Sequence, residues 1–359
     1  MLYKNLNLLY GEELEYIKNA YLRIENGKIT EVGTGGKRVG IDLKGSLIIP
    51  SLINAHTHIG DSSFIDCYDE LTIDELVKPP DSLKHTLLKK TDENKILRGM
   101  RETVQYMAGS GISYFVDFRE GGEKGISMLK NACEGAKIGY RVLGRDVKDL
   151  SQIHGFGISG VLDMELSYLK QIRKSAEKNG KLFAIHVAEN PLSRPFSLYK
   201  YRRTEVEVAL SLNPDIMIHL TNADLREIKL VRRVKGIVLC PSSNAILGSG
   251  IPDIPQIHEN SLVCLGTDNV MINSPDMWRE LSFTYKMTRV KNGSMKVSEI
   301  LKMATVNPAK LFSLNSGIIQ EGFSLPIIRI RKKYPISLSI DPIRTVISRI
   351  TPKDIKVLR

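Results

Sequence analysis

The stretch Leu47-Ile-Ile-Pro-Ser-Leu-Ile-Asn-Ala-His-Thr-His58 is an apolar run that ends in two histidines. Its apolar part, Leu47 to Ala55, is typical of a buried strand. Side chains at positions i and i+2 of a strand face the same side, so His56 and His58 can share one metal ion at the strand end. Chance alone produces a His-x-His pair in roughly one chain in seven of this histidine content, so the pair needs support from elsewhere in the sequence.

Seven more short apolar runs follow the first, and amphipathic helical stretches such as Asp92–Gly109 and Glu165–Asn179 separate them. The further predicted strands are Ser113–Phe118, Tyr140–Leu143, Gly157–Leu162, Leu182–Val187, Ile216–Leu220, Gly236–Cys240 and Leu262–Gly266. Repeated strand–helix units of about 30 residues predict a parallel sheet. Eight such strands predict an α/β fold of the (β/α)₈ barrel type.

The two chain ends have a different pattern from the middle. Near the start, Tyr21–Glu25 and Lys28–Val32 flank Asn26-Gly27 and predict a β-hairpin. After two predicted helices, Met277–Val290 and Val297–Leu314, β-like runs return at Leu325–Arg331 and Arg344–Ile350. We therefore expect a small β-sandwich domain made of residues 1–50 and 317–359, flanking a barrel of residues 51–316.

Composition excludes several classes of protein. The chain has 359 residues, 42% of them hydrophobic and 25% charged, which is ordinary for a globular protein. No apolar run approaches the roughly 20 residues of a membrane helix, and the acidic start is unlike a signal peptide, so we expect a cytoplasmic protein without membrane association. The net charge of +11 is spread along the chain, which predicts no nucleic-acid partner. The four cysteines are widely spaced and predict reduced thiols.

Metal-binding residue types follow several predicted strands. His186 ends the fifth strand, His219 ends the sixth, and Asp268 follows the eighth. Barrel enzymes keep their active sites at the carboxyl ends of the strands, so these residues and the histidine pair are expected to meet there. Imidazole and carboxylate ligands suit a divalent transition metal, zinc ahead of iron.

Five stretches carry a resemblance to a known family. They are Asp42-Leu-Lys-Gly45 through His58, His186-Val-Ala-Glu189, His219-Leu, Cys240-Pro-Ser-Ser-Asn-Ala-Ile-Leu-Gly-Ser-Gly250 and Gly266-Thr-Asp-Asn269. In these the chain resembles the amidohydrolase superfamily, within it the branch of cytosine, guanine, and methylthioadenosine or adenosylhomocysteine deaminases and triazine chlorohydrolases. The chain departs from the family pattern at Pro50-Ser51, where Pro-Gly is usual.

The resemblance implies a site with one metal, bound by His56, His58, His186 and Asp268. Relatives with two metals carry a bridging lysine on the fourth strand, and Gly157–Leu162 has none. The catalytic residues implied are Glu189 as proton shuttle, His219 as a hydrogen-bond partner of the attacking water, and Asp268 as acceptor of its proton.

The implied activity is hydrolysis of a carbon–nitrogen bond that is not a peptide bond. The leading expectation is deamination of an amino-substituted N-heterocycle, a small-molecule substrate, by a metal-activated hydroxide. Opening of a cyclic amide and displacement of halide are alternatives on the same fold. A third is an inactive relative acting as an interaction protein, which the intact ligand set disfavours. Self-association into a homo-oligomer is left open.

Substrate contacts are expected at the strand ends. The candidates are Arg119, Arg145, Asn244, Asn269 and Trp278, the last of which is more typical of a packing residue. A long insertion, residues 60–91, follows the first barrel strand and is typical of a lid. It contains Tyr68, Pro79-Pro80 and His85.

Overall fold

The computed structural model describes residues 1–67, 71–78, 81–291 and 294–359. Two compact units account for this part of the chain. One consists of residues 1–54, 106–114 and 276–359, and the other of residues 55–105 and 115–275. The domain boundaries given above follow the strand pattern of the sequence and remain a prediction.

Parallel pairing joins the barrel strands in chain order. The barrel strands are β5 (Leu52–His58), β6 (Ile112–Arg119), β7 (Gly139–Gly144), β8 (Gly155–Ile158), β9 (Leu182–Val187), β10 (Ile216–His219), β11 (Gly236–Leu239), β12 (Val263–Leu265) and β13 (Asp268–Asn269). Their order in the sheet is β12-β11-β10-β9-β8-β7-β6-β5-β13. Because β12 and β13 are two pieces of one strand, this order returns to its start, as it does in a closed barrel. The predicted barrel fold is confirmed.

Burial on both faces explains why the barrel strands are almost entirely apolar. All residues of β5, β8, β10 and β11 are buried. Strands covered on both faces have near-continuous hydrophobic sequences and do not alternate with polar residues. The polar exceptions, such as His56 and His219, lie near the strand ends.

The chain ends form a second sheet of mixed pairing. Its strands are β1 (Leu2–Tyr10), β2 (Glu15–Glu25), β3 (Lys28–Thr34), β4 (Ile41–Pro50), β14 (Ile327–Ile330) and β15 (Ile355–Leu358), in the order β15-β14-β4-β1-β2-β3. Leu6, Leu22, Ile48 and Ile327 are among the residues of its buried core. The predicted hairpin is confirmed as β2 and β3.

Helices occupy the connections between barrel strands and the region after β13. They are α1 (Ile73–Val77), α2 (Leu83–Lys90), α3 (Glu93–Gly109), α4 (Gly122–Cys133), α5 (Leu166–Lys178), α6 (Ser193–Tyr201), α7 (Glu205–Leu210), α8 (Leu225–Leu230), α9 (Pro241–Ile246), α10 (Ile254–Asn260), α11 (Met277–Val290), α12 (Val297–Lys302), α13 (Val306–Leu311) and α14 (Pro342–Arg349). None of the described helices is long and apolar enough to cross a membrane.

The first predicted strand, Leu47–Ala55, is wrong as a single element. Pro50 ends β4, which pairs with β1 and β14 in the chain-end sheet, and Leu52 begins β5. The apolar pattern is continuous because both strands are buried, so hydrophobicity alone could not show the break. Pro50 lacks a backbone N–H and is suited to the end of a strand.

Two predictions near the carboxyl end are also wrong. The β-like run Arg344–Ile350 belongs to α14, where the Asp341 side chain accepts a hydrogen bond from the Arg344 N–H and proline stands at a first-turn position. An aspartate cap followed by proline is a helix-start signal that outweighs the β-branched residues. The predicted helix Val297–Leu314 is divided into α12 and α13 at Thr305, whose φ of −136° is not helical.

The insertion of residues 60–91 is partly helical. It holds a short 3₁₀ turn, Ile59–Phe64, followed by α1 and α2. The ring of His85 lies 2.8 Å from the Ser82 hydroxyl, between Nδ1 and Oγ. Tyr68 and Pro79-Pro80, named above as lid residues, lie outside the described residues.

Gly266 lies between β12 and β13 and packs closely against β5, so a substitution there tests the packing of the barrel strands. A Cβ atom at Gly266 would lie 2.6 Å from the Cβ of His56 and 2.8 Å from its backbone nitrogen. We expect Gly266→Ala to lower the free energy of unfolding by about 1–3 kcal/mol, as overpacking does. Gly36→Ala is the control, because a Cβ atom at Gly36 would meet nothing within 4 Å. Chemical denaturation of both variants measures the difference, and equal midpoints would contradict the packing described.

Candidate active site

The barrel strands bring the predicted metal-binding residues to one place. His56 and His58 lie at the end of β5, His186 in β9, His219 at the end of β10, and Asp268 at the start of β13. All five are buried, with exposed fractions of 0 to 7%. The backbones of His219 and Asp268 are left-handed, with φ values of 75° and 64°. Such strained conformations cluster at functional sites.

The ligand atoms form two groups that share His56, one with His58 and His186 and one with His219 and Asp268. Within each group these atoms lie within 4.8 Å of one another. The Nε2 atom of His56 lies 3.2 Å from Oδ1 of Asp268 and 3.3 Å from Nε2 of His186. The Nε2 atom of His58 lies 3.6 Å from the same Asp268 oxygen. Ligands arranged tetrahedrally at about 2.1 Å from a zinc ion are separated by about 3.4 Å. The spacing of these atoms therefore fits a small divalent cation.

Hydrogen bonds on the far side of two rings fix which nitrogen faces the cluster. Nδ1 of His186 lies 2.7 Å from the carbonyl oxygen of Ile158, which only accepts, so this nitrogen carries the proton. Nδ1 of His58 lies 2.9 Å from Oε1 of Glu120 and donates in the same way. The unprotonated Nε2 of His58 thus faces Oδ1 of Asp268 at 3.6 Å, and the unprotonated Nε2 of His186 faces Nε2 of His56 at 3.3 Å. Lone pairs and a negative charge meeting in this way fit a cation between them.

Electrostatics keep these ligands in their metal-binding forms. Burial lowers the pKa of His58 to about 3 and that of His186 well below its usual value. Burial alone would raise the pKa of Asp268, but its hydrogen bond to His56 and the nearby imidazoles hold it well below the ordinary value. The Ser243 hydroxyl donates to Asp268 Oδ2 at 2.7 Å. Neutral imidazoles and an ionised carboxylate are the forms that bind divalent metals.

Glu189 and His219 form the other side of the site. Oε2 of Glu189 lies 3.4 Å from Nε2 of His219. Burial, followed by repulsion from Asp268 and Glu205, raises the pKa of Glu189 well above its ordinary value. Burial lowers the pKa of His219 to about 4, and its Nδ1 lies 3.2 Å from the Asn244 amide nitrogen. The site thus holds two carboxyl groups whose pKa values are displaced in opposite directions.

A cavity opens over this cluster. Glu189, Asp268, Arg145, Asn269 and Lys84 are among the residues that line it. Apolar side chains at the cavity wall include Leu162, Leu192 and Phe196. A mostly concave space with a few polar groups directed into it is what small-molecule sites require.

The predicted substrate contacts have different placements. Arg145 and Asn269 line the cavity, and Arg145 donates through Nε to the Gly157 carbonyl oxygen at 2.6 Å. Arg119 is buried and pairs with Asp117 and Glu120.

The other two predicted contacts are also bonded within the protein. Asn244 is buried beside His219 and accepts a hydrogen bond from the Thr221 hydroxyl at 2.9 Å. Trp278 lies in α11, is 3% exposed, and donates its indole N–H to the Ser110 carbonyl. Its placement is that of a packing residue.

Sequence reasoning missed Lys84. It lies in α2, outside the strand-end pattern, and is only 2% exposed. A lysine in a polar insertion carries no sequence signal for burial, because only its tertiary partners make the burial tolerable.

The sequence matches a protein-family model and known proteins that are named as aminohydrolases or deaminases. A family model described as "Amidohydrolase family" matches residues 47–330. A "Putative aminohydrolase" of Methanothermobacter thermautotrophicus is 36% identical, covering 98% of this chain and 95% of its own length. A "5-methylthioadenosine/S-adenosylhomocysteine deaminase" of Pyrococcus furiosus is 28% identical, covering 94% of this chain and 88% of its own.

Among solved structures, an adenosine deaminase from Xanthomonas campestris with bound zinc superposes with a TM-score of 0.86. That alignment has 16% identity and covers 99% of this chain and 91% of the other. The resemblance seen in the sequence is confirmed. The chain therefore belongs to the amidohydrolase family and is a hydrolase.

Proposed function

We propose that this chain is a metal-dependent aminohydrolase that removes the amino group of an N-heterocycle. The observation that carries the proposal is the buried cluster in which His56 is grouped with His58 and His186 and also with His219 and Asp268, beside a cavity lined by the Glu189 carboxyl group. We propose His56, His58, His186 and Asp268 as the residues that would hold one divalent cation. Zinc is proposed ahead of iron, in line with the zinc-bound structural neighbour.

The residues of the site divide the proton transfers between them. A divalent cation held by these residues would lower the pKa of a water molecule and so supply the hydroxide nucleophile. Asp268, with its depressed pKa, accepts the proton of the attacking water. Glu189, whose raised pKa favours its protonated form, donates to the ring nitrogen as oxygen adds to the neighbouring carbon. Ammonia then leaves with the proton that Asp268 accepted. The hydroxyl proton of the adduct returns to Glu189 as the product carbonyl forms, so both carboxyl groups regain their starting forms. Carboxyl groups with divergent pKa values are the mark of paired acid and base roles.

The substrate we propose is an amino-substituted six-membered or fused N-heterocycle. The relatives named as deaminases of methylthioadenosine and adenosylhomocysteine support an aminopurine as the first candidate. Arg145 and Asn269 line the cavity and are proposed as substrate contacts. His219 is proposed to hydrogen-bond the attacking water, because its Nε2 faces the site without a hydrogen bond among the described residues.

An assay of ammonia release tests this function. Metal-loaded protein is incubated with methylthioadenosine, adenosylhomocysteine, adenosine, guanine, cytosine, pterins and a creatinine-like ring. We expect ammonia from at least one aminopurine and none after removal of the metal. Product formation without ammonia, from a cyclic amide or a halogenated ring, would replace deamination by the corresponding hydrolysis.

The proposed ligand set also predicts a metal stoichiometry. The four proposed ligands, with no lysine in β8 to bridge a second ion, predict a single site. Elemental analysis of purified, active protein should find close to one equivalent of transition metal. Two equivalents in the active protein would contradict the single-metal site.

A further inference from the structure

Lys84 is the one residue of α2 whose charged group is buried against the site. Its Nζ donates to Oε1 of Glu120 at 2.8 Å and to Oδ1 of Asn269 at 2.8 Å. Oδ2 of Asp61 lies 3.6 Å away. The side chain is 2% exposed, although α2 belongs to the insertion and Lys89 and Lys90 of the same helix are exposed. A buried ammonium group is tolerated only when it is paired and hydrogen-bonded.

Both hydrogen-bond partners of Lys84 are bonded in turn to a proposed metal ligand. Glu120 accepts from Nδ1 of His58 at 2.9 Å, through the same oxygen that accepts from Lys84. Asn269 donates from Nδ2 to Oδ1 of Asp268 at 3.2 Å. Lys84 is therefore linked through one intervening side chain to each of two proposed ligands, His58 on β5 and Asp268 on β13.

The orientation of these bonds makes the lysine a determinant of ligand geometry. Because the ammonium group attracts the Glu120 carboxylate, it fixes the acceptor that keeps the His58 proton on Nδ1. Because it donates to the oxygen of the Asn269 amide, it turns the amide nitrogen toward Asp268. Loss of the ammonium group would leave the Asn269 amide free to rotate and Glu120 free to turn toward Arg119, which lies 3.2 Å from its other oxygen.

We infer that Lys84 is a positioning residue that couples the insertion after the first barrel strand to the metal centre. It does so by holding Glu120 and Asn269, the two side chains that orient His58 and Asp268. The inference rests on the proposed metal site. It assigns to α2 a part in assembling that site that the sequence pattern did not indicate.

The coupling has a reciprocal consequence. If docking of α2 raises the affinity for metal, bound metal must stabilise the docked α2 by the same factor. Residues behind a metal ligand typically change metal affinity by about 10–100-fold. Bound metal is therefore expected to lower the equilibrium constant for local opening of α2 by the same factor, about 10–100-fold.

Metal affinity of the Lys84→Met variant tests the inference. Met keeps the length and apolar stem of lysine and removes the charge. Competition with a chromophoric chelator should show zinc affinity about 10–100-fold weaker than that of the wild type. Lys90→Met, the same change at an exposed position of the same helix, should bind zinc as the wild type does. A lysine that only stabilised the fold would lower the melting temperature of the metal-free protein and leave zinc affinity unchanged, which would overturn the inference.

Two further measurements cover a Lys84→Met variant that fails to fold. Glu120→Gln preserves shape and leaves Lys84 its bond to Asn269, and it should also weaken zinc binding by about tenfold or more. In the wild-type protein, zinc should slow hydrogen exchange of the amides of residues 82–90 relative to α11. Unchanged zinc affinity in Glu120→Gln together with unchanged exchange in α2 would overturn the coupling. Wild-type protein that takes up no zinc would instead overturn the metal site itself.

Discussion

Glu189→Gln is expected to keep its metal and lose at least about two orders of magnitude in turnover. Gln has the size and shape of Glu but cannot donate a carboxyl proton. A positioned general acid typically contributes about 10²–10⁴-fold, so the deficit in transition-state stabilisation is about 3 kcal/mol or more. Steady-state kinetics with the best substrate of the ammonia assay, together with metal analysis of the same sample, measures both quantities.

The matched control for this variant is Glu227→Gln. Glu227 is also buried, and it accepts a hydrogen bond from the Asp224 N–H at 2.7 Å, a bond that the oxygen of Gln can still accept. We expect its turnover to stay within about tenfold of the wild type, a difference of about 1.4 kcal/mol. Full activity in Glu189→Gln would remove the proton-shuttle role, and loss of metal would make Glu189 a ligand.

The pH dependence of turnover provides a second test of Glu189. Its raised pKa means that the protonated, donating form is present at low pH and is lost as pH rises through that pKa. Wild-type turnover should therefore fall on the alkaline side, and this fall should be absent in Glu189→Gln. An unchanged alkaline limb in the variant would assign it to another group.

Asp268→Asn is expected to lose metal and activity together. The variant replaces an anionic ligand by a neutral amide and also removes the acceptor for the proton of water. Because a metal centre supplies several kcal/mol of transition-state stabilisation, turnover should fall at least about 10²–10³-fold. Zinc affinity from chelator competition and turnover are measured on one preparation.

Asp276→Asn is the control for this change. Asp276 is likewise buried, but its carboxylate caps α11 by accepting from the Trp278 and Arg279 amides. Asn is an equally good capping residue, so stability and activity should be retained. Wild-type turnover in Asp268→Asn would contradict the roles proposed for this residue.

Much of the fold could be predicted because parallel barrel strands carry a strong local signal. The run Leu182–Val187 is apolar except for His186 and matches β9 residue for residue. The wrong secondary-structure predictions arose where one hydrophobic pattern is compatible with two different structures. Leu47–Ala55 is buried in two different sheets, and only the pairing partners of β4 and β5 reveal the break. In α14 the β-branched residues are spaced for a helix, and the cap at Asp341 was the better signal.

The residues of the candidate site could be predicted where they come directly at or after the carboxyl end of a predicted barrel strand. His56, His58, His186 and His219 lie at or near the carboxyl ends of β5, β9 and β10, and Asp268 follows β12 closely. The carboxyl ends of barrel strands meet at one face, so the strand pattern predicts that these residues lie together. Lys84 reaches the site from an insertion whose path depends on tertiary packing, and no spacing rule connects it with Glu120 or Asn269. Likewise, the sequence could not show that Arg119 and Asn244 would be bonded within the protein while Arg145 lines the cavity.

The most direct test of hydrolytic deamination is a reaction in water enriched in oxygen-18. Metal-free protein, protein reloaded with one equivalent of zinc, and the Glu189→Gln variant are each incubated with the best aminopurine of the panel, and ammonia and product mass are followed together. We predict that only the zinc-loaded wild type releases ammonia at an appreciable rate, one molecule for each substrate consumed, and that the product carries the heavy oxygen. Ammonia release by the metal-free protein at the same rate, or a fully zinc-loaded protein that releases none from any ring of the panel, would contradict the account.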